Sequence, residues 1–159
     1  MAKRKKRKKD YLYNYGIFGV LLFTALTVGM AFVENVKAFV PLLGTEAGSY
    51  TGFQIMFGAK DDLTRTVQVL NFSIGALFAY VLPLAGFILA LIANKGSMLI
   101  NGIALLLFIA GAVLLFLMPD FVVVASEITL NYSLSVGAII AGISSILAAI
   151  ILAAKTFIR

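Results

Sequence analysis

The chain contains no cysteine, no histidine and no tryptophan. Without cysteine it can form no disulfide, and it has no thiol nucleophile and no thiolate metal ligand. Without histidine it lacks the commonest general base and the commonest metal ligand. We therefore expect no catalytic residue, no cofactor and no metal site, and the few acidic residues outside the apolar stretches leave acid–base chemistry as a distant alternative.

Charged residues are also scarce, at 13% of 159, whereas 62% of residues are apolar and the mean hydropathy is +1.04. A soluble domain is roughly 45–50% apolar. This chain has too few polar groups to cover its hydrophobic surface, so lipid must be the solvent for most of it. The length allows one compact membrane domain.

Four uncharged stretches are each long enough to cross a ~30 Å hydrocarbon core as a helix, and a helix satisfies every backbone amide within lipid. The sequence therefore predicts an all-α membrane protein, a four-transmembrane-helix bundle with a small cap that is helical or β-rich. The predicted spans are about residues 16–33, 72–94, 98–118 and 133–154, and the loops on the outer side are 34–71 and 119–132. Residues 1–15 are predicted to be a basic, flexible tail with interfacial aromatics, and residues 16–159 form the membrane domain.

A run of seven cations precedes the first span, and three more lie at the same end of the bundle. They are Lys3, Arg4, Lys5, Lys6, Arg7, Lys8 and Lys9, followed by Lys95, Lys155 and Arg159. That side holds ten of the 13 Lys and Arg residues, and six of the seven acids fall on the other side. The positive-inside rule then predicts a cell-membrane protein with both termini in the cytoplasm. The basic run is expected to contact anionic lipids and not nucleic acid.

No acid or base lies within the predicted spans, which disfavours an ion-coupled carrier, since such carriers usually hold ionisable groups there. Pro83 predicts a bend near Ala79–Tyr80, as either a hinge or a static kink. Polar and kinked positions could line a pathway for a small solute or a lipid. These positions are Tyr80, Pro83, Asn101, Ser144 and Ser145.

The fourth span carries small residues at helical spacing, which let helix backbones approach closely. The set is Gly137, Ala141, Gly142, Ser145 and Ala149. It indicates packing either within this bundle or against a partner helix. A short repeat, 70–73 (LNFS) against 130–133 (LNYS), precedes the second and fourth spans and suggests either a duplicated hairpin or recurring helix caps.

The first loop alternates apolar and polar residues before Leu70, and 121–124 in the second loop is rich in valine, so both predict strands of a small sheet. A helical extension of the second span back to Asp61 or Asp62 is the alternative. Several apolar loop residues must pack on the bundle, on lipid or on a partner. The candidate partner surface is Phe39, Phe53, Ile55 and Phe57.

Four spans, unequal outer loops and a sheet-prone first loop containing Gly52-Phe53-Gln54 resemble claudin-type tetraspan proteins. The paired loop cysteines and the tryptophan of the claudin motif are absent, so neither the disulfide nor junction activity follows. The chain also resembles small bacterial four-span proteins with a glycine-bounded aromatic loop, a likeness that implies no function. We expect a structural or accessory subunit that binds another membrane protein or a second copy, with a channel or transport component as the alternative.

The predicted topology can be tested with single cysteines, because the chain has none of its own. Gly48→Cys in the first loop should react with a membrane-impermeant thiol reagent applied to intact cells. Ser97→Cys in the turn between spans two and three should react only after the cells are opened. Labelling of Ser97→Cys in intact cells would show that the orientation is reversed.

Overall fold

The computed structural model describes residues 2–41, 43–60, 68–93, 97–125 and 130–157, with side chains from Tyr15 onward. Its elements in chain order are α1 (Ala2–Gly29), β1 (Glu34–Phe39), β2 (Glu46–Thr51), α2 (Gly52–Phe57), β3 (Ala59–Lys60), β4 (Gln68–Leu70), α3 (Ile74–Ile92), α4 (Met98–Phe116), β5 (Asn131–Leu134) and α5 (Val136–Phe157). Short 3₁₀ turns follow α1 at Met30–Phe32 and α4 at Met118–Phe121.

Four helices are long and apolar enough to cross a membrane, which confirms the predicted four-helix bundle. The candidate spans are Tyr15–Phe32, Ile74–Ile92, Met98–Phe116 and Val136–Phe157. Helix α4 packs between α3 and α5, α5 packs against α1, and α1 closes the ring against α3. The short turn between the second and third spans predicts that these two helices are neighbours, and α3 and α4 do pack against each other.

The predicted helix ends need correction at two places. Helix α1 begins at Ala2, so the backbone of the basic segment is helical and continuous with the first span, whereas the helix predicted from the sequence begins only at residue 16. Lysine and arginine are good helix formers, and extending an existing helix avoids the cost of nucleation. Helix α5 begins at Val136 because the preceding residues, Asn131–Leu134, are drawn into a β-sheet.

The interior of the bundle combines many small side chains with a few large ones such as Phe108 and Leu152, and most large side chains lie on its outside. Alanines are buried at the contacts of α3, α4 and α5, for example Ala79, Ala104 and Ala148. Leucine, isoleucine and phenylalanine side chains on the same helices are exposed to the surrounding lipid. Lipid tails are as apolar as leucine, so helices associate through close packing and not through hydrophobic burial.

Pro83 does not interrupt α3; instead its ring packs into a notch on α4. The notch is Gly111, where a Cβ atom would lie 2.5 Å from Cδ of Pro83. Both residues are buried, and the helix runs without a break from Ile74 to Ile92. Pro83 therefore fixes the register of two neighbouring helices.

A small cap covers one end of the bundle, which we call the cap side. Its three-stranded antiparallel sheet has the order β2-β1-β5, and β3 pairs with β4 in a separate two-stranded sheet. A β-rich cap is confirmed, but its strands differ in part from those predicted. Met118–Phe121 is a 3₁₀ turn with Pro119 at its start, and Val124 makes a single bridge to Leu70. Proline supplies no backbone donor for a ladder and is suited to the first turn of a helix.

The helical extension of α3 does not form, since β4 ends at Leu70 and the Ser73 hydroxyl caps α3 by accepting from the Ala76 amide. Asp61 and Asp62 lie outside the described residues. The two repeated segments are also used differently: Ser73 is a helix cap, whereas Asn131, Tyr132 and Ser133 belong to β5. The prediction that each repeat caps its helix is therefore correct only for the first.

Replacing Gly111 by alanine should destabilise the bundle, because the new methyl group would overlap the Pro83 ring, which cannot rotate away. Overpacking of this kind typically costs ~1–3 kcal/mol. The matched control is Gly102→Ala on the same helix, where no neighbouring atom lies within 4 Å. Thermal unfolding in mild detergent, followed by circular dichroism, should show a lower midpoint for Gly111→Ala alone. Equal midpoints for the two variants would contradict the notch.

Candidate functional site

The cap lies at one end of the bundle, and it begins with a bulge in β1. Glu34 pairs with Thr51 of β2 and Val36 pairs with the next residue, Tyr50, so Asn35 is the extra residue of a β-bulge. A bulge re-aims a side chain that regular alternation would send to the other face. Asn35 and Val36 are consequently both buried.

The Asn35 amide ties the sheet to the helices. Its Nδ2 donates to the carbonyl oxygens of Met30, at 2.8 Å, and Val33, at 2.7 Å. Its Oδ1 accepts from the Tyr80 hydroxyl of α3 at 2.7 Å. The Asn35 carbonyl accepts from the backbone N–H of Ser135, directly before α5, at 2.8 Å. One residue thus links α1, β1, α3 and α5.

Two glycines allow this close assembly. A Cβ atom at Gly52, the first residue of α2, would lie 2.6 Å from the Tyr80 hydroxyl and 3.0 Å from Nδ2 of Asn35. A Cβ atom at Gly137 on α5 would overlap the Glu34 carbonyl of β1. Any larger residue at either position would push the cap away from the bundle.

Both loops contribute to the same cap. Val36 of β1 pairs with Leu134 of β5, which belongs to the second loop. Farther along, the Asn71 N–H donates to the Val123 carbonyl at 2.8 Å and the Ala125 N–H to the Val69 carbonyl at 3.0 Å. The loops therefore form one body with two separate connections between them.

The sheet has an apolar inner face and a polar outer face. Tyr50 and Tyr132 lie opposite Val36 and Ala38 on the inner face and pack on the core. Burial raises the pKa of both tyrosines, and the neighbouring Tyr50 raises the pKa of Tyr132 further.

The outer face presents Lys37 between Ser49 and Ser133. Lys37 forms an exposed ion pair with Glu46 at 3.1 Å, and the Ser49 hydroxyl donates to Glu34 at 2.7 Å. An exposed ion pair adds at most ~1 kcal/mol to stability. The exposed polar side chains of this face are suited to contact with water.

The predicted aromatic surface is only partly exposed. Ile55 is 1% exposed and belongs to the core, so it is not available to a partner, and Phe39 is half-buried. Phe53 and Phe57 are 47% and 52% exposed. Ile55 was misplaced because α2 is a helix, in which positions 53 and 57 share one face and position 55 lies on another.

The small residues of α5 contact other parts of this chain. The Gly142 backbone faces the Phe116 ring of α4, where a Cβ atom would lie 2.8 Å away. The Ser145 hydroxyl donates to the Phe108 carbonyl of α4 at 2.8 Å, and the Ala141 carbonyl accepts from Thr27 of α1 at 3.3 Å. Ala149 is buried in the cluster with Phe108. The structure thus places the stripe inside the bundle.

Of the predicted lipid-contacting cations, Lys155 and those at the start of α1 lie at the end opposite the cap. The aliphatic stem of Lys155 on α5 packs beside Gly16 of α1, with Cβ of Lys155 3.6 Å from a Cβ built at Gly16. Lys3, Arg4, Lys5, Lys6, Arg7, Lys8 and Lys9 belong to the first turns of α1, and nothing is described of their side chains. Lys95 and Arg159 lie outside the described residues.

The polar residues that could line a pathway are mostly engaged inside the protein. Tyr80 and Ser145 donate to the acceptors given above, Pro83 fills the Gly111 notch, and Ser144 is buried. Asn101 differs from them. It is 8% exposed, and its Oδ1 has no hydrogen-bond partner among the residues that the structure describes.

Within the described residues, no group of three His, Cys, Asp or Glu side chains is close enough to hold a metal ion. The fold defines a multi-pass membrane protein with four spans and a mixed cap built from both loops. No family model, curated protein or solved structure matches the chain.

Sequence reasoning missed the role of Asn35 and assigned Tyr80 to a pathway. The available signal was an uncharged polar residue directly after the first span, together with a lone tyrosine hydroxyl within the second. Nothing in the sequence shows that the two side chains meet, since their contact depends on how the first loop folds back.

The Asn35–Tyr80 hydrogen bond can be tested with two matched tyrosine substitutions. Tyr80→Phe leaves the buried Oδ1 of Asn35 without a donor, which typically costs ~1–3 kcal/mol. Tyr132→Phe removes a buried hydroxyl that has no partner in the described part of the chain, so stability should stay the same or rise. Denaturant unfolding in detergent micelles should separate the two variants in that order. A Tyr80→Phe protein as stable as wild type would contradict the role given to this bond.

Proposed function

We propose that the protein is a non-enzymatic structural or accessory subunit of the cell membrane and that its cap binds another membrane protein or a second copy of this chain. The observation that carries the proposal is the attachment of the cap. Both loops are paired into one sheet, and the sheet is held on the helices by the Asn35 amide and the Gly137 contact. A cap that is fixed before binding loses little conformational entropy when it meets a partner.

The polar outer face and the edge of the sheet offer the means of recognition. β2 lies at one edge of the three-stranded sheet, and its residues Glu46 and Ala47 are exposed. An edge strand presents backbone donors and acceptors on which another chain can add a strand. The charges of Lys37 and Glu46 beside it would orient such a partner.

The small-residue stripe of α5 does not support partner binding, because its members contact α1, α4 and β1 of the same chain. We therefore assign the contact with a partner to the cap and not to the membrane spans. It agrees with the claudin-type resemblance in one respect, a sheet made from the loops of a four-span protein. That likeness supports an arrangement and not an activity.

The proposal also includes the orientation of the bundle in the membrane. The basic residues of the first turns of α1 and Lys155 lie at the end opposite the cap, where the cytoplasmic leaflet carries anionic lipids. Adjacent Lys and Arg residues contribute ~1 kcal/mol each to such attraction, less under salt screening. We place both termini in the cytoplasm and the cap outside, with anionic lipid and not nucleic acid as the partner of the basic residues.

A channel or small-solute transport component is the second candidate, and Asn101 is the observation that favours it. An unpaired amide oxygen inside an apolar bundle is costly unless a donor reaches it. A polar solute or water passing along α4 would supply that donor. The other polar positions favour it less, because their hydrogen bonds are made within the protein.

The subunit proposal predicts a stable assembly larger than one 17.0 kDa chain in mild detergent. Single cysteines introduced at Ala47 and Ser133, on the two edge strands, should form a discrete cross-linked product when intact cells receive a membrane-impermeant bifunctional reagent. Phe157→Cys at the opposite end of the bundle is the matched control and should give none. Molar mass by light scattering and the cross-linked band are the two measurements.

A monomer that gives no cross-linked product from either cap position would contradict the subunit proposal. If that monomer also conducted a small solute across liposomes, and Asn101→Leu abolished the flux, the second candidate would be favoured in its place. A product from Phe157→Cys in intact cells would contradict the orientation alone.

A further inference from the structure

The exposed side of α2 carries an aromatic row that joins the cap to the lipid-facing surface of the first span. The Phe53 ring stacks on that of Phe32, with centroids 5.7 Å apart and planes 18° apart, and the Phe57 ring lies 4.7 Å from Phe53. Phe32 is 68% exposed and is the last residue of the span that begins at Tyr15. We call these three rings the aromatic row.

The position of Phe32 sets the depth of the row. Phe32 is the last residue of a candidate span assigned by its length and apolar composition, and the end of such a span is expected at the boundary between hydrocarbon and headgroups. Headgroup regions add roughly 5–8 Å on each side of a ~30 Å hydrocarbon core. Phe53, less than 6 Å from Phe32, therefore lies within the interfacial layer, as does its neighbour Phe57.

Helix α2 is a short element without charge that is apolar on both its buried and its exposed side. Gly52, Ile55 and Met56 are buried against the bundle, whereas Phe53 and Phe57 project from the other side. The Thr51 side chain accepts from the Gln54 N–H and the Gln54 side chain accepts from the Thr51 N–H, which fixes where the helix starts. Gly58, with φ of 87°, ends it after six residues. The orientation of the two rings is therefore held by the backbone around them.

Two kinds of surface surround α2, and the row continues only one of them. Along α1, exposed apolar side chains run from Phe18 through Leu22 to Phe32 and mark the lipid-facing side. The polar outer face of the sheet, with Lys37 and Glu46, marks the aqueous side. The row extends the lipid-facing surface beyond the end of α1 without a break in apolar character.

We propose that α2 is an interfacial anchor, which inserts Phe53 and Phe57 into the leaflet on the cap side and so holds the cap down on the membrane. Phenylalanine is one of the apolar residues through which interfacial helices insert ~5–10 Å into the boundary between headgroups and acyl chains. The occupant of this surface is lipid and not a protein partner. Because α2 has no charge, the contact does not require anionic headgroups. This inference does not depend on the proposed function.

The absence of tryptophan makes a direct test available. Phe53→Trp and Phe57→Trp each introduce a single indole at an exposed position, in two variants that are independent of each other. The proteins are reconstituted into phosphatidylcholine vesicles that contain lipids brominated either near the headgroup or near the chain ends. Ser133→Trp, on the polar face of β5, is the aqueous control, and Ile109→Trp, exposed midway along α4, is the deep control.

Both α2 indoles should show blue-shifted emission and more quenching by shallow than by deep bromines. Ile109→Trp should show the opposite ratio, and Ser133→Trp should not be quenched by either lipid. Adding anionic lipid should leave the ratio for Phe53→Trp and Phe57→Trp unchanged.

Two results would overturn the anchor. Blue-shifted emission that no brominated lipid quenches would show that another protein, or a second copy, covers the row. Red-shifted emission without quenching would show that water covers it. If one variant fails to fold, the other still distinguishes these outcomes, because each ring reports its own surroundings.

Discussion

Where the first span ends, the chain changes from helix to strand and must keep its backbone groups hydrogen-bonded. The last carbonyl groups of a helix have no partner within it, and inside the hydrocarbon no water can supply one. Here the Asn35 side chain supplies the donors, because its Nδ2 donates to the Met30 and Val33 carbonyl oxygens. Its Oδ1 accepts a hydrogen bond from the Tyr80 hydroxyl. Every other part of the cap is positioned relative to that exit.

The same constraint explains where the small residues are used. Gly52 and Gly137 lie where the cap descends on the helices, and Gly111 and Gly142 lie where helices meet side chains of neighbouring helices. In each case, atoms of the same chain occupy the space that a Cβ atom at the glycine would fill. A stripe that resembles an interface between proteins is therefore explained by packing within one protein, which leaves the cap and the lipid-facing surface for external contacts.

The membrane spans could be predicted from sequence because their signal, 18 or more uncharged residues, is long and needs no knowledge of neighbours. The start of α5 could not, because β5 becomes a strand only by pairing with β1 of the other loop. Ile55 was misassigned for a similar reason: a six-residue helix has too little periodicity to show which side is buried. Asn35 was visible as the residue that closes the first span, but its bulge depends on the offset between Glu34–Thr51 and Val36–Tyr50. The local sequence pattern does not show which residues of two strands distant in the chain pair with each other.

The pairing of β1 with β5 also sets an order of events during synthesis. β1 emerges directly after the first span, yet its partner is made only after the second and third spans and the loop that follows them. Until then one side of β1 presents open backbone groups at the membrane surface, with only the hairpin to β2 in place. The sheet of the cap is thus completed only after the third span has been made, and the Ser135 N–H and Gly137 then join it to the start of the fourth helix.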